Sequence, residues 1–358
     1  ESCVDRHAAQ IPNKIAFVFQ SENEKVVKYS YSELQIEVNK FANYLVGLGV
    51  KKSSRVFLFL PKIPEMYICF LGTIKQGSIA VPLFEAFESD GLELRLERGD
   101  ADVLITNKEL AKRLKHTENR KFSVPFKSGK FEGKDKFKNM KIIVVDSSEF
   151  KNEIKKQKSN FNGVLVDKFD TATMIFTSST AGTPVAGIEI PHYGLVQQHY
   201  TAKIVLGLNE ASNYWCTAHP GWVTGSVYGI ISSLSIGCTN YIYTGHFDAK
   251  KWLGFLKKNR ISVLYTAPTV LRLLKPTIKK IDLKYLKSLC SVGEALTSAV
   301  YDFYKKIGIG ICDTYWQTET GAIVIACYKG MKKKSGSMGK AIPGIKAEIR
   351  DGMIFLKK

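Results

Sequence analysis

Apolar residues recur along this chain with two different spacings. Between positions 29 and 50 they come three or four residues apart, as on one face of a helix. These positions are Leu34, Val38, Phe41, Leu45 and Val46. Uninterrupted apolar runs stand instead at 55–61 and 79–84, and such runs indicate parallel strands that are buried on both faces. Residues 66–77, between the two runs, are expected to form the crossover helix.

The same alternation continues through the chain and is typical of α/β proteins. Further candidate strands span 103–106, 141–146, 171–179, 261–268, 286–294 and 308–316. Beyond residue 335, short segments separated by glycine and proline predict the start of a small β subdomain. We therefore predict an α/β fold with two stacked αβ lobes, largely parallel sheets and that subdomain. The predicted domains are residues 1–168, 169–334 and 335–358.

Composition supports a globular protein with more than one core. The chain has 358 residues, of which 45% are hydrophobic and 24% charged. Its seven cysteines form no C-x-x-C pair, which argues against a zinc site and against a disulfide framework. The sequence contains neither an apolar run of membrane-spanning length nor a visible signal peptide. We therefore expect a cytoplasmic location and no membrane partner, and the composition predicts no particular oligomeric state.

The formal net charge of +19 raises the question of nucleic acid. The basic residues are mostly lysines spread over surface-like segments, and they concentrate between 108 and 158. The stretch KFEGKDKFKNMK (130–141) lacks arginine and the interleaved aromatic residues with which many nucleic-acid readers stack on bases. We therefore predict no nucleic-acid partner. A basic nucleic-acid or membrane-surface binder stays an alternative that rests on net charge alone.

The ends of parallel strands are where ligands bind in open α/β sheets. The first such end reads FTSSTAGTPVAG (176–187), in which hydroxyls and backbone amides around Gly182 could wrap a phosphate. The segment contains no lysine. Alone it is a weak signal, because loops rich in serine, threonine and glycine are common.

Three other segments carry candidate chemistry. YWCTAHPGWVTGSVYG (214–229) is dense in aromatic residues and glycine, and SVGEALT (291–297) places Glu294 after a tight turn, which suits a flat ring or a ribose. DTYWQTETG (313–321) sets carboxylates beside hydroxyls at a strand end. Mg²⁺ commonly takes one or two protein carboxylates together with phosphate oxygens, so this segment indicates a magnesium–phosphate site. Each segment alone is also compatible with a structural turn or with packing between lobes.

Taken together and in this order, the motifs resemble those of the adenylate-forming acyl- and aryl-CoA synthetases, in particular the AMP-forming acetyl-CoA synthetases. The resemblance runs from CVDRHA (3–8) through LFLPKIPEMYICFLGTIKQGSIAVPLFEAF (58–87) to SMGKAIPGI (337–345). YWCTAHPGWVTG, YTAPT (265–269), SVGE and DTYWQTETG follow the acetate branch most closely. It implies a ligase that uses ATP, Mg²⁺ and coenzyme A. The carboxylate would attack the α-phosphate to give an acyl-adenylate and pyrophosphate, and the CoA thiol would then attack the adenylate.

The resemblance also implies roles for individual residues. The phosphate loop would bind ATP through Thr177, Ser178, Ser179, Thr180, Gly182 and Thr183. Adenine would lie beside Gly293, Glu294 and Ala295. The nucleoside would rest on Asp313, Thr314, Tyr315 and Gln317. Thr318 would contact the α-phosphate and Glu319 would ligate Mg²⁺, which makes these two the catalytic candidates.

The acyl pocket is the most specific implication. In the acetate branch a tryptophan fills the space that longer acyl chains occupy in relatives, and here that residue is Trp316. Val223, Thr224 and Val292 would close its sides. A packed indole leaves room for about two carbons, because overfilling such a site is costly. Ala267 falls in the segment that approaches the pantetheine of CoA, and Trp316 as a plain core residue stays the alternative.

Two departures from the family pattern bear on activity. The loop usually reads T-S-G-S-T-G-x-P-K-G, whereas Val185, or Ala186 if one residue is inserted, stands at the lysine and Ser179 replaces a glycine. His219 stands where acetate-branch relatives generally carry aspartate. Losing one charge contact to phosphate weakens stabilisation of the transition state.

A third departure from the family pattern is at the ends of the chain. It begins with Glu1 instead of Met, so we expect residues upstream. Relatives continue past the point of Lys358 with a ribose-binding aspartate, a hinge, an arginine near the phosphate and the lysine required for adenylation. We therefore expect a truncated and impaired acetate–CoA ligase. The alternative is a degenerate, non-catalytic relative that binds nucleotide or acyl-adenylate.

Overall fold

The computed structural model describes residues 1–114, 137, 140–177, 187–328 and 330–357. They form two compact units that are not continuous in sequence. The first unit comprises Glu1–Ile15, Tyr29–Gly194 and His219–Ser226. The second comprises Ala16–Lys28, Leu195–Ala218 and Val227–Lys358. The chain therefore passes between the units several times.

The regular elements are numbered here in chain order. The strands are β1 Ile15–Gln20, β2 Val26–Ser30, β3 Arg55–Phe59, β4 Ile79–Leu83, β5 Val103–Thr106, β6 Lys141–Val144, β7 Thr171–Ile175, β8 Ile188–Pro191, β9 Asn213–Cys216, β10 Thr239–Tyr243, β11 Val263–Thr266, β12 Ser288–Ser291, β13 Ile311–Tyr315, β14 Ile325–Ala326, β15 Lys340–Ala341, β16 Lys346–Arg350 and β17 Met353–Lys357. The α-helices are α1 Asp5–Gln10, α2 Tyr31–Gly47, α3 Pro64–Lys75, α4 Ser89–Arg98, α5 Lys108–Ala111, α6 Ser148–Lys156, α7 Gly194–Thr201, α8 Val223–Ser226, α9 Ser232–Ile236, α10 Ala249–Lys258, α11 Pro268–Leu274 and α12 Ser298–Lys306. Within the described ranges, each helix is too short or too polar to traverse a lipid bilayer.

The first unit is organised around a sheet with the order β6-β5-β3-β4-β7-β8. All its neighbours pair in parallel except β7 and β8, which run antiparallel. The run predicted at 55–61 forms β3, whose Phe57 and Phe59 are fully buried in the core of this unit. Residues buried on both faces of a parallel strand need not alternate with polar ones, which is why the run is continuously apolar.

Helix α2 begins at Tyr31, within the segment 29–50 whose apolar spacing predicts a helix. The Ser30 side chain accepts a hydrogen bond from the backbone N–H of Glu33, and the Glu33 carboxylate accepts one from the Ser30 N–H at 2.7 Å. This reciprocal cap satisfies two donors that the first helical turn leaves open. The predicted apolar positions are buried except Val46, which lies at the end of the helix and is 51% exposed.

The second unit contains a sheet with the order β15-β14-β13-β12-β11-β9-β10-β1-β2. The central strands from β13 to β1 pair in parallel, whereas β14 and β15 run antiparallel at one edge. Strands β16 and β17 form a separate antiparallel hairpin within the region predicted as a β subdomain. The predicted α/β class with largely parallel sheets is confirmed.

One strand lies in a different sheet from the one its position in the sequence indicated. Residues 171–179 were expected to open the second lobe, but β7 pairs with β4 through Ala80 and Thr173 and belongs to the first sheet. The apolar pattern of β7 identifies a buried strand without specifying its neighbour, because pairing partners are chosen by tertiary contacts. The domain boundaries 1–168, 169–334 and 335–358 stay a prediction.

Gly221 provides a test of packing in the first unit. A Cβ built at Gly221 would lie 2.3 Å from the backbone nitrogen of Phe84 and 2.4 Å from the carbonyl carbon of Leu83. These are backbone atoms, which cannot move aside as a flexible side chain does. We expect Gly221→Ala to lower the free energy of unfolding in urea by more than about 2 kcal/mol.

Gly254 provides the matched control. It lies on the exposed side of α10, and an added Cβ would meet nothing within 4 Å. Gly254→Ala should raise the free energy of unfolding by about 0.5–1 kcal/mol, because glycine loses more backbone entropy than alanine in a helix. Equal stability of Gly221→Ala and the wild type would contradict the close approach at Phe84.

Candidate functional site

A row of polar side chains follows the carboxyl ends of neighbouring strands in the second unit. The parallel register pairs Thr266 with Ser291 and Ser291 with Asp313. The Ser291 hydroxyl donates to Asp313 Oδ1 at 2.6 Å, and the hydroxyls of Thr266 and Thr217 lie 2.7 Å apart. The sheet thus brings these groups together at the edge where ligands bind in parallel α/β sheets.

Asp313 is the central acid of this row. Only 9% of its surface is exposed. Burial raises the pKa of the Asp313 carboxyl, whereas the hydrogen bond from Ser291 and the one from the Thr314 backbone N–H act in the opposite direction. Because its Oδ1 is held by Ser291, the carboxyl group is oriented before any ligand arrives, which suits it to accept hydrogen bonds from ligand hydroxyls.

Trp316 follows β13 directly and is buried. Its indole Nε1–H donates to the Tyr265 hydroxyl at 3.1 Å. The Tyr228 ring packs edge-on against the indole with a centroid separation of 5.1 Å and an interplanar angle of 80°. Neither tyrosine was assigned by the sequence analysis, although Tyr265 opens the quoted YTAPT stretch. The two lie 51 and 88 residues before Trp316 in the chain, so only the folded sheet reveals the contacts.

The predicted catalytic residues lie on a short, capped turn. Thr318–Thr320 form one turn of 3₁₀-helix, and the Thr320 hydroxyl accepts from the Gln317 N–H at 3.1 Å. The Glu319 side chain is exposed and Thr318 is half-buried. The turn closes at Gly321, whose φ of +69° is the left-handed conformation that glycine adopts without strain.

Two side chains from distant segments anchor the residues just after this turn. Gln198 donates through Nε2 to the Gly321 carbonyl at 3.2 Å. The Ile323 N–H donates to the Tyr228 hydroxyl at 2.8 Å. The turn with Glu319 is therefore held at its end, which presents the carboxylate toward solvent. Within the described ranges there is no cluster of three or more His, Cys, Asp or Glu side chains placed to hold a metal. A single exposed carboxylate still fits Mg²⁺, which commonly takes its other ligands from phosphate and water.

The loop predicted to flank adenine leaves free space at Gly293, and Glu294 connects it by a hydrogen bond to the YTAPT segment. Gly293 has a φ of +96°, and an added Cβ there would meet nothing within 4 Å. The backbone N–H of Thr269, in the first turn of α11, donates to Glu294 Oε1 at 2.6 Å. Ala267 is the residue that precedes α11. The Glu294 carboxylate therefore links the predicted adenine loop to the predicted CoA segment. Ala295 is exposed beside it.

The remaining predicted residues divide between the units. Val292 is buried beyond the end of β12 in the second unit, while Val223 and Thr224 begin α8 in the first. Thr177 lies beyond β7 in the first unit. The other phosphate-loop positions lie outside the described residues, namely Ser178, Ser179, Thr180, Gly182 and Thr183.

His219 is a buried neutral imidazole in the first unit. Its Nδ1 accepts from the Gly221 N–H at 2.9 Å, so Nε2 carries the hydrogen and donates to the Leu60 carbonyl at 3.0 Å. Burial and, to a lesser extent, the positive charge of Lys62 lower the pKa of His219 to about 3. His219 thus has a structural role, holding the 219–226 segment to the end of β3.

Comparison with known proteins places these features in a family. The model for AMP-binding enzymes matches residues 4–353. The acetyl-coenzyme A synthetase of Bacillus subtilis is 38% identical over 355 residues, which cover 97% of this chain and 60% of that protein. The acetyl-coenzyme A synthetase of Methanothrix thermoacetophila is 34% identical over 377 residues, covering 98% and 56%. The chain therefore spans little more than half the length of these relatives.

A solved structure supports the same fold. The crystal structure of a Brucella canis acyl-CoA synthetase superposes with a TM-score of 0.85, covering 98% of this chain and 63% of that one. The sequences are 24% identical, so the likeness concerns the fold.

The protonation of His219 yields a pH prediction. The lowered pKa means that the unfolded state binds a proton below about pH 6.5 while the folded state does not. The stabilisation is therefore fully present above about pH 6.5 and is lost as pH falls toward 3. We expect the difference in unfolding free energy between the wild type and His219→Gln to shrink by about 2 kcal/mol from pH 6.5 to 5.

Urea unfolding at a series of pH values measures this difference. His246→Gln, which replaces an exposed histidine in the same way, serves as the control substitution. If the unfolding free energies of His219→Gln and the wild type change with pH in parallel, the assignment of His219 as a neutral buried imidazole is contradicted.

Proposed function

The chain belongs to the family of AMP-binding enzymes, and on that premise we propose that it acts in acetate activation as an AMP-forming acetate–CoA ligase. Acetate would attack the α-phosphate of Mg·ATP, so that a bond from carboxylate oxygen to phosphorus forms and pyrophosphate leaves. The thiol of coenzyme A would then attack the acetyl-adenylate and release AMP. The chemistry depends on positioning and charge neutralisation, since the reactants supply the bonds themselves.

The buried Trp316 is the observation that carries this proposal. It stands in the acetate-branch motif DTYWQTETG, and its indole is fixed by one hydrogen bond and one ring contact. An indole that is held in one position cannot move aside, so it excludes acyl chains longer than acetyl by volume. Val292, which is buried beyond β12 in the same unit, is proposed to close this pocket, and Val223 and Thr224 stay pocket residues that the resemblance predicts. The 38% identity to an acetyl-coenzyme A synthetase supports the same substrate class.

The other site residues have distinct proposed tasks. Asp313, together with Thr314, Tyr315 and Gln317, would position the nucleoside, and the preoriented Asp313 carboxyl supports this. Gly293, Glu294 and Ala295 would lie along adenine, where the absence of a side chain on Gly293 leaves space for a flat ring. Thr318 would contact the α-phosphate. Glu319 would ligate Mg²⁺, which neutralises phosphate charge in this kind of reaction.

The phosphate loop favours a second candidate function. Val185, or Ala186 if one residue is inserted, stands where the family carries lysine, so binding of the β- and γ-phosphates would lack one cation. A non-catalytic relative that holds nucleotide or acyl-adenylate would tolerate that loss. Ala267 as a CoA contact, a cytoplasmic location and the absence of nucleic-acid and membrane partners stay predictions.

The acyl pocket can be tested by binding, which needs no turnover. We expect the 358-residue chain to bind a sulfamoyl-linked acetyl-adenylate more tightly than the butyryl analogue, by roughly tenfold or more, because two extra methylenes overpack the pocket. In Trp316→Gly the preference should reverse. Burying two methylenes contributes about 1.6 kcal/mol, or roughly fifteenfold in affinity.

Titration calorimetry with both analogues gives the ratio of the two dissociation constants. Trp316→Phe is the control, because it keeps most of the bulk and should keep the preference for acetyl. Equal affinity of the wild type for the two analogues would contradict an acetate-sized pocket, and with it the proposal that acetate is the substrate.

The phosphate loop provides a separate test. Position 185 lies outside the described residues, so the prediction rests on the sequence motif. Val185→Lys should tighten binding of Mg·ATP by roughly tenfold through one charge-assisted contact to phosphate. The gain should diminish with added salt.

Val185→Gln is the matched variant, with a long polar side chain but no charge, and it should bind Mg·ATP like the wild type. If the lysine also leaves ATP affinity unchanged, the loop no longer contacts phosphate, and the non-catalytic acyl-adenylate binder becomes the better description.

A further inference from the structure

A directed chain of hydrogen bonds ends at the indole of Trp316. The Thr314 hydroxyl donates to the Ser291 carbonyl at 2.8 Å, and it lies 2.8 Å from the Tyr265 hydroxyl. A hydroxyl has one hydrogen, and Thr314 has already used its own. Tyr265 must therefore donate to Thr314 and accept from the indole Nε1–H, which can only donate. A single pattern of donors satisfies all three side chains.

The hydroxyl of Tyr265 has no other evident role in the packing of this unit. The Tyr265 side chain is fully buried, and a phenylalanine ring would fill nearly the same volume. Burying a hydroxyl costs free energy unless the hydroxyl is hydrogen-bonded. The Tyr265 hydroxyl is therefore explained by its hydrogen-bond partners and not by the volume that the side chain fills. Its two partners are Thr314 and Trp316, both of which the proposed site uses.

The ring contact and the hydrogen bond constrain the Trp316 indole in different ways. Tyr228 packs edge-on against the indole with a centroid separation of 5.1 Å. An edge-on contact does not require a particular indole atom to face the neighbouring ring, whereas the hydrogen bond to Tyr265 does, because Nε1 lies on one edge of the indole only.

We infer that Tyr265 is a positioning residue that sets acyl-chain selectivity, by holding the Trp316 indole in the orientation that closes the acyl pocket. The inference rests on the proposed function, since Trp316 limits chain length only if it lines that pocket. Tyr265 acts through Trp316 and needs no contact with the substrate.

Tyr265→Phe removes the hydroxyl and keeps the ring. The expected result is a fall of about tenfold in the preference for sulfamoyl-linked acetyl-adenylate over the butyryl analogue, because one hydrogen bond no longer selects the closing orientation. Calorimetry on the 358-residue chain measures both affinities. In the Trp316→Phe background the same substitution should leave the preference unchanged, because phenylalanine offers no N–H.

Tyr304→Phe is the matched control in the same unit. Tyr304 is fully buried, and its hydroxyl donates to the Leu271 carbonyl at 2.9 Å. Removal of the Tyr304 hydroxyl should lower the free energy of unfolding about as much as removal of the Tyr265 hydroxyl does. It should leave the preference for the acetyl analogue at the wild-type value. If the preference falls equally in Tyr304→Phe, a general loosening of the core causes the loss of selectivity, and the inference is overturned.

Nuclear magnetic resonance observes the indole directly and needs no ligand. The chain has four tryptophans, so ¹⁵N-indole labelling gives few signals, and loss of one in Trp316→Phe assigns it. Trp252 is an internal comparison, because its Nε1 is buried with no hydrogen-bond partner among the described residues. The Trp316 indole proton should resonate downfield of that of Trp252, and in Tyr265→Phe it should exchange with solvent about tenfold faster.

The outcomes separate this inference from the proposed function. A wild type without acetyl preference overturns the proposed function and the selectivity assigned to Tyr265 together. An acetyl preference that survives Tyr265→Phe, or that falls equally in the Trp316→Phe background, overturns this inference alone. If Tyr265→Phe does not fold, the wild-type spectrum still decides, because a Trp316 indole proton that lacks the downfield shift excludes the hydrogen bond.

Discussion

The register between neighbouring parallel strands is the constraint on which the second unit's site depends. Evenly spaced backbone hydrogen bonds align β11, β12 and β13 so that Thr266, Ser291 and Asp313 form one row. A slip of one residue in any of these strands would turn its polar side chain to the other face of the sheet. The pairing of Ser291 with Asp313 and the position of Trp316 one residue beyond β13 both follow from that alignment.

Buried polar atoms near the site are satisfied by one another, which makes the arrangement specific. The chain from Trp316 through Tyr265 and Thr314 to the Ser291 carbonyl closes without an unused donor. In a low-dielectric interior each of these groups would be costly alone, so each constrains the next. The hydrogen bond from the Trp316 Nε1–H to Tyr265 therefore fixes which edge of the indole faces the Tyr265 hydroxyl.

In the first unit, a buried polar side chain is likewise satisfied by hydrogen bonds, but here its partners are backbone groups. His219 is held as a neutral imidazole that accepts from Gly221 and donates to Leu60, and Gly221 lies against the backbone of Phe84 where no Cβ fits. An ionised aspartate at this position could accept such hydrogen bonds but could not donate one, so the hydrogen bond to the Leu60 carbonyl depends on the imidazole.

The sequence by itself determined the α/β class, the buried run at β3, the apolar face of α2 and the motifs of the family, because each depends on neighbours a few residues apart. It also located Asp313 and Trp316 at a strand end. It did not determine that β7 joins the first sheet, that Glu294 holds the N–H of Thr269, or that Tyr265 holds the Trp316 indole. Those contacts join residues tens of positions apart, and they exist only once strand order and register are chosen. Local apolar patterns leave that choice open, since any buried strand fits beside several others, and the packing of the whole unit decides it.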